Sequence, residues 1–169
     1  MRPILGRIFF IYTMKYRRLT KEQFEELHKE FINFLATQSI TAEEWKKIKT
    51  EQPKVAEEEM DVFSDLVWEG VLGKVEYLEN IAPQHLYLFQ INENSMALIG
   101  IKINTSSVDL TTKEGFAWLR EHLMDDQVEF FNAEKEIEGD KYLSIFELIE
   151  KGANITKGEL YKYFEQLIG

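Results

Sequence analysis

Two apolar runs separated by four polar residues constrain the fold of this chain more than any other feature of its sequence. Residues 86–91 (LYLFQI) and 96–103 (MALIGIKI) flank the segment Asn92–Ser95, and this arrangement predicts a β-hairpin with a four-residue turn. The second run is nearly all apolar, so we expect it to lie centrally in a small sheet. Because two strands alone are marginally stable in water, a third strand is expected, either from residues 8–12 or from residues 128–131.

Helix start signals dominate the rest of the chain. Capping boxes at Thr20–Gln23, Thr41–Glu44 and Thr111–Glu114 pair a threonine with an acidic or amide residue three positions later. Such boxes are typical of helix N-termini. The first is expected to open a helix that ends near Gln38, and a similar signal at 156–159 is expected to cap the last helix.

One long helix is expected after the second capping box. Its apolar spacing runs from Pro53 to about Glu79, and Gly73 is the expected place of any break. A further helix over residues 142–151 is expected to end at Gly152 in a left-handed C-cap.

These elements together predict an α+β fold, a mostly helical single domain with a β-hairpin or small antiparallel sheet at about residues 86–103. The domain is expected to span residues 14–169. Residues 1–13 are a doubtful extension with three alternative interpretations. They form an edge strand, they contact a membrane surface, or they precede the true translation start. The preferred interpretation is that translation begins at Met14. No apolar run approaches the ~20 residues of a membrane-spanning helix.

Composition and charge exclude several classes of function. The chain has no cysteine, which excludes disulfide scaffolds, Cys-ligated zinc sites, iron–sulfur clusters and thiol catalysis. The net charge is −10, although the first 21 residues hold six basic residues and no acidic one. The remaining residues, with 14 basic and 30 acidic side chains, repel phosphate backbones, so general nucleic-acid binding is not expected.

One pair of residues has the spacing of metal ligands. Glu25 and His28 stand three positions apart on the first predicted helix, as in the Glu-x-x-His element of carboxylate-bridged di-metal sites. A complete site needs a second copy, and neither other histidine has an acid three positions earlier. We therefore predict no metal or other cofactor and keep Glu25 and His28 as candidate ligands only.

An acidic row is predicted on the long helix. Glu58, Asp61 and Asp65 share one helical face, where carboxylates could do acid–base work or bind Mg²⁺. The favoured interpretation is a solvated helix face. No catalytic motif is found elsewhere, so the sequence favours a protein that is not an enzyme.

The pattern from Met14–Thr20 (MKYRRLT) through Val75–Glu79 (VEYLE) to the hairpin and the two terminal helices resembles small acidic bacterial proteins classed as a domain of unknown function. The resemblance covers residues 14–169 and implies a protein of the bacterial cytoplasm. It implies no functional residues.

The leading hypothesis is a cytoplasmic accessory or adaptor protein that binds a protein partner. Aromatic residues are abundant and favoured at interfaces, and the predicted contacts are Lys15, Tyr16, Arg17 and Arg18 or the hairpin's free edge. The competing interpretation is that this basic segment neutralises acidic surface nearby. One alternative function is a small enzyme, with or without a metal, whose pocket joins Glu25 and His28 to the acidic row. Another is an acidic decoy that mimics nucleic acid.

Overall fold

The structure, a computed structural model, describes residues 12–168. Apart from Tyr12, the edge strand predicted at residues 8–12 therefore lies outside the described residues. The described part contains seven helices and five strands in an α+β arrangement, as predicted. They are α1 (Lys21–Glu26), α2 (His28–Thr37), α3 (Ala42–Glu51), α4 (Pro53–Leu72), β1 (Tyr77–Ala82), β2 (His85–Ile91), β3 (Ser95–Ile103), α5 (Lys113–Glu121), β4 (Val128–Glu136), α6 (Lys141–Glu150), β5 (Asn154–Thr156) and α7 (Glu159–Ile168).

The first two capping boxes are confirmed. The hydroxyl of Thr20 accepts a hydrogen bond from the Gln23 backbone at 3.2 Å, and the Gln23 side chain accepts one from the Thr20 backbone at 2.8 Å. The helix that was predicted to run to Gln38 is interrupted at Leu27 (φ −99°, ψ 21°), which separates α1 from α2. The Phe31 amide still donates to the Leu27 carbonyl at 2.9 Å, so the chain continues into α2 without a loop.

The predicted long helix is shorter than expected. α4 ends at Leu72, and the segment predicted to continue it to Glu79 enters strand β1 instead. Leu78 pairs with Phe89 of β2 on one side and with Ile155 of β5 on the other. The apolar spacing in this segment suits a strand as well as a helix, and the strand partners decide between them.

The five strands form one antiparallel sheet in the order β4-β3-β2-β1-β5. The predicted hairpin is confirmed as β2 and β3, and the third strand expected at residues 128–131 is the start of β4. The apolar β3 lies between β2 and β4, as expected. The predicted free edge of the hairpin is wrong, because both of its strands are paired on both sides.

Two of the predicted caps are displaced. The N-cap of α5 is Thr112 rather than Thr111, because both the amide and the hydroxyl of Thr111 bond to the Asp109 carboxylate. Thr156 is the last residue of β5, and its hydroxyl accepts from the Gly158 amide at 3.1 Å, so it does not cap α7. The left-handed C-cap at Gly152 (φ 108°) is confirmed.

Contacts divide the described residues into two compact units, one up to Val71 and one from Leu72. In the first unit the ring of Phe31 packs against Phe63 at 5.0 Å and Trp45 at 5.2 Å. In the second unit fully buried side chains of β2, β3, α5 and α7 form the core, among them Leu86, Ile101 and Phe164. None of the described helices is long and apolar enough to cross a membrane.

Candidate functional site

Asp65 is a structural residue of the first unit. Its side chain is buried, and its carboxylate accepts hydrogen bonds from the Tyr12 hydroxyl at 2.6 Å and from the backbone amides of Lys15 and Tyr16 at 2.7 and 3.0 Å. The prediction that the acidic row is a solvated helix face is therefore wrong at Asp65. The carboxylate holds the segment that precedes α1 against α4.

The predicted partner contacts Lys15 and Tyr16 lie against the same helix, α4. Tyr16 is buried and its hydroxyl donates to Glu69 at 2.7 Å, while the Lys15 ammonium lies 3.2 Å from the same carboxylate. Burial, with the hydrogen bond to Glu69, raises the pKa of Tyr16 to about 12. Both side chains therefore have partners inside the first unit.

Arg17 and Arg18, the other two predicted contacts, also lie against α4. The Arg18 guanidinium donates to Asp61 at 2.6 Å, and this bond raises the pKa of Arg18. The Arg17 side chain is exposed and lies 5.2 Å from the centre of the Trp68 ring. This is the arrangement expected if the basic segment neutralises nearby acidic surface. That the segment binds a partner stays a prediction.

A groove on the first unit brings the other predicted residues together. It encloses about 460 Å³, and its walls are α1 and α2 on one side and α3 on the other. The break at Leu27 separates the two helices of the first wall, and Met60 of α4 contributes to the lining. The lining residues are Lys21, Phe24, Glu25, His28, Phe31, Ile32, Ala42, Trp45, Lys46, Lys49 and Met60.

Glu25 and His28 both line this groove, but the other predicted acidic residues do not. Glu58, Asp61 and Asp65 are absent from its lining, so the groove does not assemble the pocket of the predicted small enzyme. No group of three or more His, Asp or Glu side chains in residues 12–168 is arranged to hold a metal ion. A metal at Glu25 and His28 would therefore have two protein ligands, fewer than the three of a catalytic zinc site.

Three lysines give the groove a positive rim. Lys21 stands at the start of α1, while Lys46 and Lys49 lie three positions apart on α3 and thus on the same helical face. None of the three forms an ion pair with another residue of the described chain. Glu25 is the single carboxylate in the lining, so cations outnumber anions there.

Of the residues that line this groove, the sequence pointed to Glu25 and His28 but not to the groove itself. Phe24, Phe31 and Trp45, which also line it, stand on α1, α2 and α3. The break between α1 and α2 at Leu27 could not be predicted, because no Gly or Pro marks it. In α3 the lysines at 46, 47 and 49 lie beside Trp45 and Ile48, and this is the one local pattern that indicates an apolar surface with a lysine rim.

A smaller hollow lies on the second unit. It encloses about 290 Å³ between β3, β4 and α7 and is lined by Glu134, Tyr161 and Glu165 among others. Burial, with the nearby Glu165 carboxylate, raises the pKa of Tyr161. The charged lining residues of this hollow are the carboxylates Glu134 and Glu165, so it offers no positive charge for an anionic ligand, whereas the groove has three lysines.

Residues 14–169 match the sequence model of DUF6495, a family of unknown function. The chain belongs to this family. The match confirms the predicted resemblance to a domain of unknown function over residues 14–169, and it includes the second unit and the first unit from Met14 onward. No curated protein and no solved structure matches the chain.

Proposed function

We propose that this protein is a cytoplasmic adaptor whose groove binds an acidic, amphipathic helix of a partner protein. The observation that carries the proposal is an apolar groove with three lysines at its rim, Lys21, Lys46 and Lys49, that form no ion pair within residues 12–168. Grooves of this kind take the apolar face of a helix, whose anchors recur every three or four residues.

The lining suits a helix with bulky apolar anchors. Phe31 and Trp45 are buried and packed edge to face, so they form a rigid wall. Ile32 and Met60 are half-buried, and the flexible methionine can adapt to differently shaped side chains. Aromatic and methionine side chains are enriched in protein interfaces.

The charge of the rim selects the polar face of the partner. Carboxylates placed beside the anchors would reach Lys46 and Lys49, whereas a basic helix would bring like charges together. This complementarity favours association and suppresses wrong partners. We place the partner here rather than at residues 15–18, because Lys15, Tyr16 and Arg18 already bond to carboxylates of α4.

The two alternative functions receive less support. An enzyme built from Glu25, His28 and the acidic row would need side chains that the groove does not bring together. A nucleic-acid mimic would need a free row of carboxylates, but Asp61 and Asp65 bond to residues 12–18.

The test uses two designed helical peptides with the same leucine face and either glutamates or lysines on the polar face. Fluorescence anisotropy with the full chain is expected to show saturable binding of the glutamate peptide and none of the lysine peptide. The double change Lys46→Glu and Lys49→Glu should raise the dissociation constant of the glutamate peptide by about tenfold or more, which corresponds to about 1.4 kcal/mol. The same variant should bind the lysine peptide.

The matched control is Lys47→Glu together with Lys54→Glu, which changes the net charge equally outside the groove lining. Ile32→Gln, which removes an apolar contact, is expected to weaken binding of the glutamate peptide but to keep the preference for it over the lysine peptide. Equal binding of both peptides would contradict the proposal. Binding of a fatty acid such as laurate with failure of both peptides would show that the groove takes a lipid instead.

A further inference from the structure

The outer edge of β4 is an open strand edge. β4 is the terminal strand of the sheet, and within residues 12–168 no strand pairs with its outer side. It is nine residues long, whereas β5 at the opposite edge has three. From Glu129 to Glu136 its side chains are exposed apart from the half-buried Phe130, and Phe131 is 43% exposed.

The backbone groups on this edge alternate in a defined way. The Asn104 amide donates to the Gln127 carbonyl and the Ile137 amide to the Asn94 carbonyl, each at 2.8 Å. Odd-numbered residues of β4 therefore bond to β3, and the amides and carbonyls of Phe130, Asn132 and Glu134 point outward. An incoming strand must bond to these even-numbered residues.

We infer that β4 pairs with β4 of a second copy of this chain, antiparallel and centred on Asn132, so that Glu129 of each copy lies opposite Lys135 of the other. In this register all nine residues of Val128–Glu136 overlap. Asn132 lies opposite Asn132 of the second copy in a hydrogen-bonded pair, because its backbone groups point outward. The two sheets join into one sheet of ten strands.

Charge complementarity in this register is the argument for a second copy. Glu129, Phe131, Ala133 and Lys135 share one face of the strand, because side chains alternate. Glu129 meets Lys135 at both ends of this face, and Phe131 meets Ala133 in the middle. These pairs fall at non-hydrogen-bonded positions, where opposite Cα atoms are about 4.5 Å apart and side chains interact most closely.

The remaining charges of the strand are compatible with the same pairing. On the other face Glu134 lies opposite Phe130 and Glu136 opposite Val128, so no carboxylate directly opposes another. Neither Glu129 nor Lys135 is in an ion pair within the described residues. Edge charges commonly protect a strand from pairing, but here they are arranged to complement themselves.

Sedimentation equilibrium of the full chain tests the inference. The unchanged chain is expected to form a dimer, and E129K or K135E alone should raise its dissociation constant by about tenfold or more, since each places two like-charge pairs across the axis. An equimolar mixture of E129K and K135E should restore the dimer, because each copy then supplies the charge the other lacks. The double variant E129K/K135E should restore it as well.

Lys113→Glu makes the same charge change as K135E at an exposed position of α5 and should leave the dimer unaltered. Recovery in the mixture shows that the single variants are folded. A chain that stays monomeric at its solubility limit would overturn the inference, as would a dimer that K135E leaves unchanged.

The register has its own test, because the chain contains no cysteine. In the proposed pairing the two copies of residue 132 have Cα atoms about 5.5 Å apart, within disulfide range. N132C is therefore expected to form a disulfide-linked dimer under mild oxidation. E136C should not, because the two copies of residue 136 lie more than about 20 Å apart along the strands. Crosslinking through E136C, or through neither variant of a dimeric chain, would overturn this register.

Discussion

At the scale of single residues, Asp65 anchors the segment that precedes α1. Its buried carboxylate accepts three hydrogen bonds, two of them from backbone amides. Asp65→Asn removes the charge and replaces one of the two accepting oxygens with an NH₂ group, which faces at least one of these donors. Since a hydrogen bond to a charged group contributes about 1.5–3 kcal/mol, we expect the free energy of unfolding in urea to fall by about 2–3 kcal/mol.

Asp61→Asn is the matched control for this prediction. Asp61 stands one helical turn earlier and bonds to Arg18, whose side chain is 39% exposed. An exposed pair of this kind contributes about 0.2–1 kcal/mol, so the control should cost at most about 1 kcal/mol. Equal losses for the two variants would show that Asp65 is not the anchor of residues 12–16.

Tyr16 gives a prediction about alkaline pH. Its pKa is raised from 10.0 to about 12 in the folded chain, so between these values the unfolded chain has lost a proton that the folded chain retains. Stability contributed by Tyr16 is therefore complete below pH 10 and is lost as the pH rises toward 12. The stability difference between the unchanged chain and Tyr16→Phe should shrink between about pH 9 and about pH 11.

Urea unfolding of both proteins at the two pH values measures this change, and the other titrating groups cancel in the difference. Ultraviolet titration supplies a second readout, because Tyr16→Phe should remove the tyrosine that ionises near pH 12. If the ionisation that disappears is centred near pH 10, the hydroxyl of Tyr16 is not held by Glu69 as described.

At the scale of elements, the turn from β5 into α7 depends on a glycine with little room. Gly158 has a φ of 83°, and a Cβ atom there would lie 2.5 Å from the Tyr77 ring. Gly139 has a similar φ of 72°, but nothing lies within 4 Å of such an atom. Comparing alanine at both sites separates the strain of the backbone from the clash with the ring.

Gly139→Ala is expected to cost about 1–2 kcal/mol, the ordinary penalty of a left-handed non-glycine residue. Gly158→Ala should cost a further 1–3 kcal/mol, roughly the effect of overpacking. Thermal unfolding of the two variants measures the difference. A Gly158→Ala variant as stable as Gly139→Ala would mean that the Tyr77 ring moves aside freely.

The elements that could be predicted from the sequence are those specified locally. The hairpin follows from two apolar runs and a polar turn, and the starts of α1 and α3 follow from reciprocal side-chain caps. β1 was missed, since the spacing of Val75 and Leu78 suits a helix and only pairing with β2 and β5 makes it a strand. β5 was missed because its three residues become a strand only by pairing with β1.

The candidate site could be predicted only in part, because it depends on how elements pack. The sequence placed Glu25 and His28 on one helix turn, and both line the groove. It could not show that Met60, far along the chain, completes the lining. Nor could it show that Asp65 is buried, since its three donors come from residues about fifty positions earlier.

At the scale of the whole molecule, the two units have separate hydrophobic cores. The core of the first unit contains buried residues from Leu19 to Phe63, and that of the second contains residues from Leu86 to Phe164. No residue of the described part of the chain belongs to both. The sequence predicted a single domain. If the chain is one cooperative domain, the two cores unfold together. Separate cores favour the alternative, in which each unit unfolds by itself.

Native-state hydrogen exchange distinguishes these behaviours. Phe63→Ala removes a buried ring from the first core and should cost about 3–5 kcal/mol. We expect it to lower the protection of amides in α2–α4 while β2 and β3 keep theirs. Leu86→Ala, at a fully buried position of the second core, should do the reverse at a cost of about 2–5 kcal/mol. If either variant lowers protection equally in both units, the chain unfolds as one domain despite its two cores.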